Sequence, residues 1–204
     1  MKWLWTNTTQ VGFGVGAVRE HLNKFVKPNT RVLCTFGGSS IDKNGARKDV
    51  NEALGDLNCE VKWEGGIPPN PEYDRLVEIL QVIKEFKPDL LLAVGGGSVI
   101  DGTKFLANAA IVKEDVDLWD YLVVKKNLPG EPLPFGTVLT IPATGTEWNF
   151  FYSISRRSMN KKSSVTCHPS LHPIFSLLDP QYTMTLPVKQ LQTGVFDAFT
   201  HCVD

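Results

Sequence analysis

Helical and strand-like patterns of hydrophobic residues alternate along the chain. Residues 71–86 begin with proline, carry acidic residues in their first turn and repeat apolar residues every three or four positions, which predicts an amphipathic helix. Residues 89–94 are apolar on both faces, as expected of a central strand in a parallel sheet. The same reasoning predicts helices at residues 17–26, 46–57 and 99–110, and strands at residues 31–36, 60–63, 135–141, 151–155 and 174–178.

This alternation of strands and helices predicts an α/β fold with a doubly wound parallel sheet. The pattern changes after Asp179-Pro180, and Pro187 opens a helix that is predicted to continue to Asp204. We therefore predict one domain over residues 1–180 and the beginning of a second over residues 181–204. Because natural domains rarely end inside a secondary-structure element, we expect the chain to be a truncated form.

Composition narrows the class of protein. Apolar residues make up 42% of the chain and charged residues 21%, which is typical of a globular protein with a sizeable core. The net charge of −1 gives no basic surface for nucleic acid or an anionic membrane. No apolar run is long enough to span a bilayer, and residues 1–10 lack the features of a signal peptide. The cysteines are widely spaced without a CxxC pair, which favours free thiols in a reducing cytoplasm.

The strongest chemical signal is the segment VGGGSVID at residues 94–101. Glycines directly after a buried strand let the backbone approach a ligand, and the N-terminus of the following helix offers free N–H groups that suit a pyrophosphate. Ser98 adds a hydroxyl donor. The alternative is a glycine turn without a ligand. The spacing matches neither GxGxxG nor the phosphate-binding loop of nucleotide hydrolases.

A second glycine turn, Gly37-Gly38-Ser39-Ser40, ends an earlier predicted strand. No acidic residue stands at this strand end, where NAD-selective sites often use one to bind the ribose hydroxyls. Small and hydroxyl-bearing residues would tolerate the additional 2′-phosphate of NADP. A plain turn between strand and helix is the alternative.

Polar residues also crowd the segment IPATGTEWN at residues 141–149, between two predicted strands. This arrangement indicates either the lining of a pocket, with Thr144, Thr146, Glu147 and Asn149 in it, or an exposed turn.

The final segment, VFDAFTHCVD, places Asp197 and His201 four residues apart on a predicted apolar helix. Residues at this spacing share a helix face, so their side chains could bind one metal ion. Two protein ligands are too few for a tight site, which usually has three or four. On spacing alone, such a pair is more often made of surface or core polar residues than of metal ligands.

Several segments, taken in order, resemble motifs of the iron-containing alcohol dehydrogenase family, nearest its butanol dehydrogenases and NADPH-dependent aldehyde reductases. The segments are GGIPPNP (65–71), AVGGGSVIDGTKF (93–105), TIPATGTEWN (140–149), LLDPQYTMTLP (177–187) and GVFDAFTHCVD (194–204). The resemblance covers essentially the whole chain. It implies a Rossmann-like cofactor domain followed by an all-helical domain that carries iron (Fe2+) or zinc (Zn2+).

Motif by motif, the resemblance implies a set of site residues. The residues expected around the pyrophosphate are Gly96, Gly97, Ser98 and Asp101. Those expected along the cofactor are Thr140, Thr144, Thr146 and Asn149. Those expected to face the adenosine ribose and its 2′-phosphate are Gly38, Ser39 and Ser40, while Asn70 and Lys162 border the cleft. Asp197 and His201 match the first two metal ligands, and the family's two further histidines come from beyond residue 204.

The function implied is that of an oxidoreductase that interconverts primary alcohols and aldehydes by metal-assisted hydride transfer to or from NAD(P). NADP is the preferred cofactor and NAD the alternative. The resemblance implies a small alcohol or aldehyde as the substrate and a homodimer, while the net charge, the apolar runs and the cysteines predict a cytoplasmic protein without nucleic-acid or membrane partners. The chain departs from the family in two places. Thr146 stands where serine is common, and Asp42 stands where NADP-using members tend to be basic, which speaks against NADP.

Two other functions are compatible with the pattern. The first is a catalytically silent nucleotide-binding module that lacks the later metal ligands. The second is a relative that uses the same fold for a lyase or polyol reaction, as dehydroquinate synthase and glycerol dehydrogenase do. The TGTE and DAFTH segments speak against the second.

Overall fold

A computed structural model describes residues 6–113, 115–127 and 130–203. The strands are β1 (Gln10–Phe13), β2 (Arg31–Thr35), β3 (Glu60–Glu64), β4 (Leu90–Gly96), β5 (Phe135–Ile141), β6 (Phe151–Arg156), β7 (Lys161–Thr166) and β8 (Phe175–Leu178). The α-helices are α1 (Ala17–Phe25), α2 (Ser40–Lys43), α3 (Ala46–Gly55), α4 (Tyr73–Phe86), α5 (Gly97–Ala109) and α6 (Val188–Val203). Two sequence-based predictions fall partly outside the described residues. The absence of a signal peptide concerns a segment that includes Met1–Trp5, and the last helix is predicted to continue to Asp204.

Six strands form one parallel sheet in the order β1-β8-β5-β4-β2-β3. Alternate residues of β4 point to opposite faces. Leu91 and Ala93 pack into one hydrophobic core with α4 and α5, while Leu90, Leu92 and Val94 pack into a second core with α1 and α3. A strand that is apolar on both faces therefore has helices on both sides, which confirms the doubly wound, Rossmann-like fold.

The hydrophobic pattern of the sequence did not predict two of the strands. β1 has only four residues, most of them exposed, and it pairs in parallel with β8 at the sheet edge. β7 is mostly polar and exposed, with the sequence KKSSVT, so it shows no hydrophobic alternation. It pairs antiparallel with β6 in a separate two-stranded sheet. Pairing with a neighbour, rather than burial of side chains, defines both strands.

The last helix differs from the others. α6 follows Pro187, as predicted, but none of its side chains is buried. The described residues after Pro180 form this helix and short turns, so they do not make up the all-helical domain expected from the resemblance. Among the described residues, no helix is long and apolar enough to cross a membrane.

Candidate functional site

The two glycine turns meet at the carboxyl edge of the sheet. β2 and β4 are neighbours in the sheet, so Gly37 and Gly38, just after β2, lie beside Gly95 and Gly96 at the end of β4. These residues line one open cleft with a volume of about 360 Å³. The sequence-based expectation that both turns border the same cleft is confirmed, because the carboxyl ends of adjacent parallel strands open onto one crevice.

Glycine is required at position 97, where α5 begins. A Cβ atom there would lie 2.5 Å from the Thr144 Oγ1 atom, closer than real Cβ contacts come. The N-cap residue, Gly96, has no side chain, so no hydrogen bond from it caps the helix. The first backbone N–H groups of α5 therefore face the cleft beside Ser98, which also lines it. Such an end of a helix favours a negatively charged ligand.

A second cavity of about 370 Å³ adjoins the cleft, and Gly97, Ser98 and Thr144 line both. It brings together predicted site residues from distant parts of the sequence, namely Asn70, Asp101, Thr146, Asn149 and Lys162. Thr140 lines the first cleft, where it is almost fully buried near the end of β5. The two cavities form one continuous groove across the edge of the sheet.

Asp101 is held by two hydrogen bonds at the floor of the groove. The Thr146 hydroxyl donates to its Oδ1 atom at 2.6 Å, and the Ser153 backbone N–H donates to Oδ2 at 2.9 Å. Burial raises the pKa of this carboxyl, while both hydrogen bonds act in the opposite direction. Its two oxygens are thus already engaged by the protein, and Asp101 orients the turn around Thr146 as well as lining the groove.

Asn70 and Lys162 form a bridge across the mouth of the groove. The Asn70 backbone N–H donates to the Ser98 hydroxyl at 3.1 Å, and the Lys162 Nζ donates to the Asn70 side-chain oxygen at 2.6 Å. Asn70 has a φ of 57°, in the left-handed region that asparagine tolerates better than most residues. The hydrogen bond from Lys162 places a positive charge beside the open N-terminus of α5.

The serines after β2 divide between the cleft and its rim. Gly38 and Ser40 line the cleft, whereas Ser39 precedes the short helix α2 and is not part of the lining. The nearby acid, Asp42, accepts a 2.5 Å hydrogen bond from the Arg47 Nε atom. The same guanidinium stacks on the aromatic rings of Phe36 and Trp63 at 4.3 Å. The negative charge of Asp42 is therefore paired within the protein.

Asp197 and His201 lie on one face of α6, with 3.8 Å between the Asp197 Oδ1 and His201 Nε2 atoms. Both side chains are largely exposed. Within the described ranges, no group of three or more histidine, cysteine, aspartate or glutamate side chains is arranged to bind a metal. The predicted pair is brought together as its spacing requires, but the described residues do not complete it.

One residue at the site received no role from the sequence. Lys104 of α5 has a fully buried side chain, and its ammonium contacts the turn that carries Thr146 and Asn149. The available signal was a charge in the otherwise uncharged stretch GTKFLANA, where a lysine is expected to be buried only with partners.

Comparison with known proteins places these features in a family. The sequence profile of iron-containing alcohol dehydrogenases matches residues 8–180. The NADPH-dependent aldehyde reductase YqhD of Escherichia coli is 43% identical over 197 residues, which cover 96% of this chain and 50% of that protein. A probable NADH-dependent butanol dehydrogenase 2 of Bacillus subtilis is 40% identical over 199 residues, covering 96% of this chain and 49% of the relative.

Solved structures agree with the sequence matches. The crystal structure of YqhD from E. coli superposes with a TM-score of 0.90 at 41% identity, covering 99% of this chain and 51% of the other. The NADH-dependent butanol dehydrogenase A of Thermotoga maritima superposes with a TM-score of 0.87 at 33% identity, covering 99% of this chain and 50% of the other. The chain thus spans about half the length of these relatives.

Proposed function

The chain belongs to the iron-containing alcohol dehydrogenase family, and we propose that it supplies the nucleotide-binding half of an oxidoreductase that interconverts primary alcohols and aldehydes. The observation that carries this proposal is the groove in which two glycine turns, the open N-terminus of α5 and the Asn70–Lys162 bridge converge. The names of the relatives favour this function over that of a silent nucleotide-binding module.

The groove suits an elongated dinucleotide. We assign the pyrophosphate to the start of α5, where Gly96 and Gly97 leave the backbone bare and Ser98 adds a hydroxyl. The ammonium of Lys162 adds a positive charge at that end of the groove. The nicotinamide half is assigned to the second cavity, which Thr146 and Asn149 border. Held along this path, the dinucleotide is oriented by the protein before hydride transfer.

We propose NADP as the preferred cofactor, with NAD as the alternative. The turn Gly38-Ser39-Ser40 offers small residues and hydroxyl groups for a 2′-phosphate, and no acid stands at the end of β2. Asp42 is paired with Arg47, so the local negative charge that speaks against NADP is largely compensated. The names of the relatives include both NADPH-dependent and NADH-dependent enzymes, so the choice is decided by measurement.

Asp197 and His201 offer an oxygen and a nitrogen donor that fit two positions of an iron (Fe2+) or zinc (Zn2+) site. Such an ion, when bound, acts as a Lewis acid toward the substrate oxygen. The other ligands are not found among the described residues, so we expect the 204-residue chain to bind metal weakly. The four cysteines are free, which supports our proposal of a reducing, cytoplasmic location.

Titration of the purified chain with NADPH and NADH, followed by cofactor fluorescence, tests the proposal. We expect saturable binding of NADPH, weaker binding of NADH, and no turnover of butanal or butanol by the 204-residue chain. Absence of binding by either nucleotide would refute the assigned groove. Stoichiometric metal together with turnover would show that the remaining ligands come from another chain.

A further inference from the structure

The buried ammonium of Lys104 contacts several oxygen atoms of one turn of the chain. Its Nζ atom lies 2.6 Å from the Thr146 carbonyl oxygen, 2.7 Å from the Thr146 hydroxyl oxygen, 3.0 Å from the Asn149 side-chain oxygen and 2.7 Å from the Phe151 carbonyl oxygen. These acceptors belong to residues 146–151, which run from the loop after β5 to the first residue of β6. The side chain itself has no exposed surface, so water cannot substitute for it.

A single hydroxyl group links the ammonium of Lys104 to a carboxylate. The Thr146 hydroxyl accepts a hydrogen bond from Lys104 and donates its own proton to Asp101, at 2.6 Å. Asn149 is fixed in the same way, because its side-chain oxygen accepts from Lys104 and from the Phe151 backbone N–H. A protonated lysine has three N–H groups and no acceptor, so the four oxygen atoms around Lys104 share its three N–H groups.

We propose that Lys104 is a positioning residue for the dinucleotide site, whose buried ammonium holds the 146–151 turn in the shape that presents Thr146 and Asn149 to the groove and keeps the Thr146 hydroxyl on Asp101 of α5. This inference rests on the proposed nucleotide-binding function. Lys104 does not line either cavity, so it acts through the turn rather than by contact with the ligand.

The protonation of Lys104 gives the proposal a distinctive pH dependence. Burial lowers the pKa of Lys104 to about 7, while the charge of Asp101 and, more weakly, Cys167 and Glu147 oppose that shift. Burial raises the pKa of Cys167 to about 11, so this thiol stays protonated through neutral pH. Above pH 7 a neutral amine offers fewer N–H groups to the same oxygen atoms, and the turn loosens.

Global stability should change in the opposite direction. An unfolded lysine keeps a pKa near 10.5, so between pH 7 and 10.5 the unfolded chain binds the proton that the folded chain has lost. The contribution of this group to the free energy of unfolding therefore rises with pH in that window. If Lys104 only stabilised the fold, nucleotide affinity and global stability would change in the same direction with pH. If Lys104 positions the turn, affinity falls while its contribution to stability rises.

The test compares Lys104→Met, which keeps the length of the side chain and removes its charge, with Thr103→Val. Thr103 is an equally buried neighbour on α5 whose hydroxyl bonds Val99 and Thr35 instead of the turn. We expect Lys104→Met to weaken NADPH binding at least about tenfold at pH 6.5, the scale of a lost charged hydrogen bond. Thr103→Val should change affinity less than about twofold, although both variants lower stability.

The pH profile completes the test. The ratio of the wild-type affinity for NADPH to that of Lys104→Met should fall between pH 6 and 8.5, and taking the ratio cancels titration of the nucleotide itself. Unchanged affinity in Lys104→Met, or a ratio independent of pH, would overturn the proposal. In case the variant does not fold, hydrogen-exchange protection of the Phe151 and Ser153 amides is measured in the wild type without nucleotide.

Those amides should lose protection relative to the β4 amides as the pH rises through 7, and constant relative protection would contradict the role of Lys104. The exchange measurement needs no ligand. If wild-type protein binds no dinucleotide, the proposed function fails, while the exchange data still decide whether Lys104 holds the turn.

Discussion

Phe105 and Phe199 lie on two of the helices that carry predicted site residues. Phe105 lies on α5, beside the groove, and is fully buried. Phe199 lies on α6, between Asp197 and His201, and is 63% exposed. In the sequence both helices read as apolar segments with polar residues at useful positions. The difference shows that packing against a hydrophobic core fixes the residues of the groove. Asp197 and His201, in contrast, are brought together only by their spacing along one helix.

The largest expected difference between the two helices is in stability. Phe105→Ala should lower the free energy of unfolding by about 3–5 kcal/mol, because it removes a large side chain and leaves a cavity. Phe199→Ala should change it by less than about 0.5 kcal/mol, because an exposed ring loses little on truncation. Urea unfolding followed by circular dichroism measures both values. Similar losses in the two variants would mean that α6 is packed against a partner in solution.

The next effect concerns the close approach of the backbone at the start of α5. In Gly97→Val, the added Cβ would collide with the Thr144 hydroxyl and fill the cradle for the phosphates. We expect NADPH affinity to fall because the cradle is blocked, and overpacking should also lower the free energy of unfolding by about 1–3 kcal/mol. Gly55→Ala is the matched control, because a Cβ at Gly55 meets nothing within 4 Å. Fluorescence titration gives both constants, and equal affinities would remove the pyrophosphate from this position.

A smaller effect should separate the two cofactors at the rim of the cleft. Ser40→Asp places a negative charge where the 2′-phosphate is assigned, so it should weaken NADPH roughly tenfold relative to NADH at low salt. Ser40→Asn has a similar shape without the charge and serves as the control. The preference should recover as ionic strength rises, since salt screens exposed charges. A loss that is the same for NADPH and NADH would place the 2′-phosphate elsewhere.

The smallest expected effect is on α6. His201→Ala, or treatment with a chelator, should change the NADPH affinity of the 204-residue chain less than about twofold, because the groove is built without the metal pair. Metal analysis should find well under one ion per chain, since two protein ligands leave the remaining coordination to water. Tight, stoichiometric metal that His201→Ala abolishes would show that α6 is part of a completed site.

Local patterns in the sequence were sufficient for the framework of the fold. Residues 89–94 are apolar on both faces because β4 has a core on each side, and this signal is contained in consecutive residues. The glycines at the ends of β2 and β4 likewise mark the carboxyl ends of strands, and at Gly97 a side chain would crowd Thr144. The spacing of Asp197 and His201 also determined that they share a helix face.

Other features depended on contacts between distant residues, which no local pattern encodes. β7 carries polar residues and exists because β6 pairs with it, so its sequence shows no alternation. The bridge across the groove joins Asn70 to Lys162, which are 92 residues apart. Family motifs indicated these two as site residues, but not their mutual hydrogen bond.

Lys104 illustrates the division most directly. In the sequence, Lys104 is only a charged residue within an apolar helix, which is compatible with a surface position. The fold places four oxygen atoms of a later turn around its ammonium. The sequence by itself therefore determined the core strands, the long helices and the glycine turns, because those depend on the burial of neighbouring residues, whereas β1 and β7 depended on pairing with a neighbouring strand. Tertiary structure decided which polar groups meet, because a buried charge is tolerated only where the packing of distant segments provides its partners.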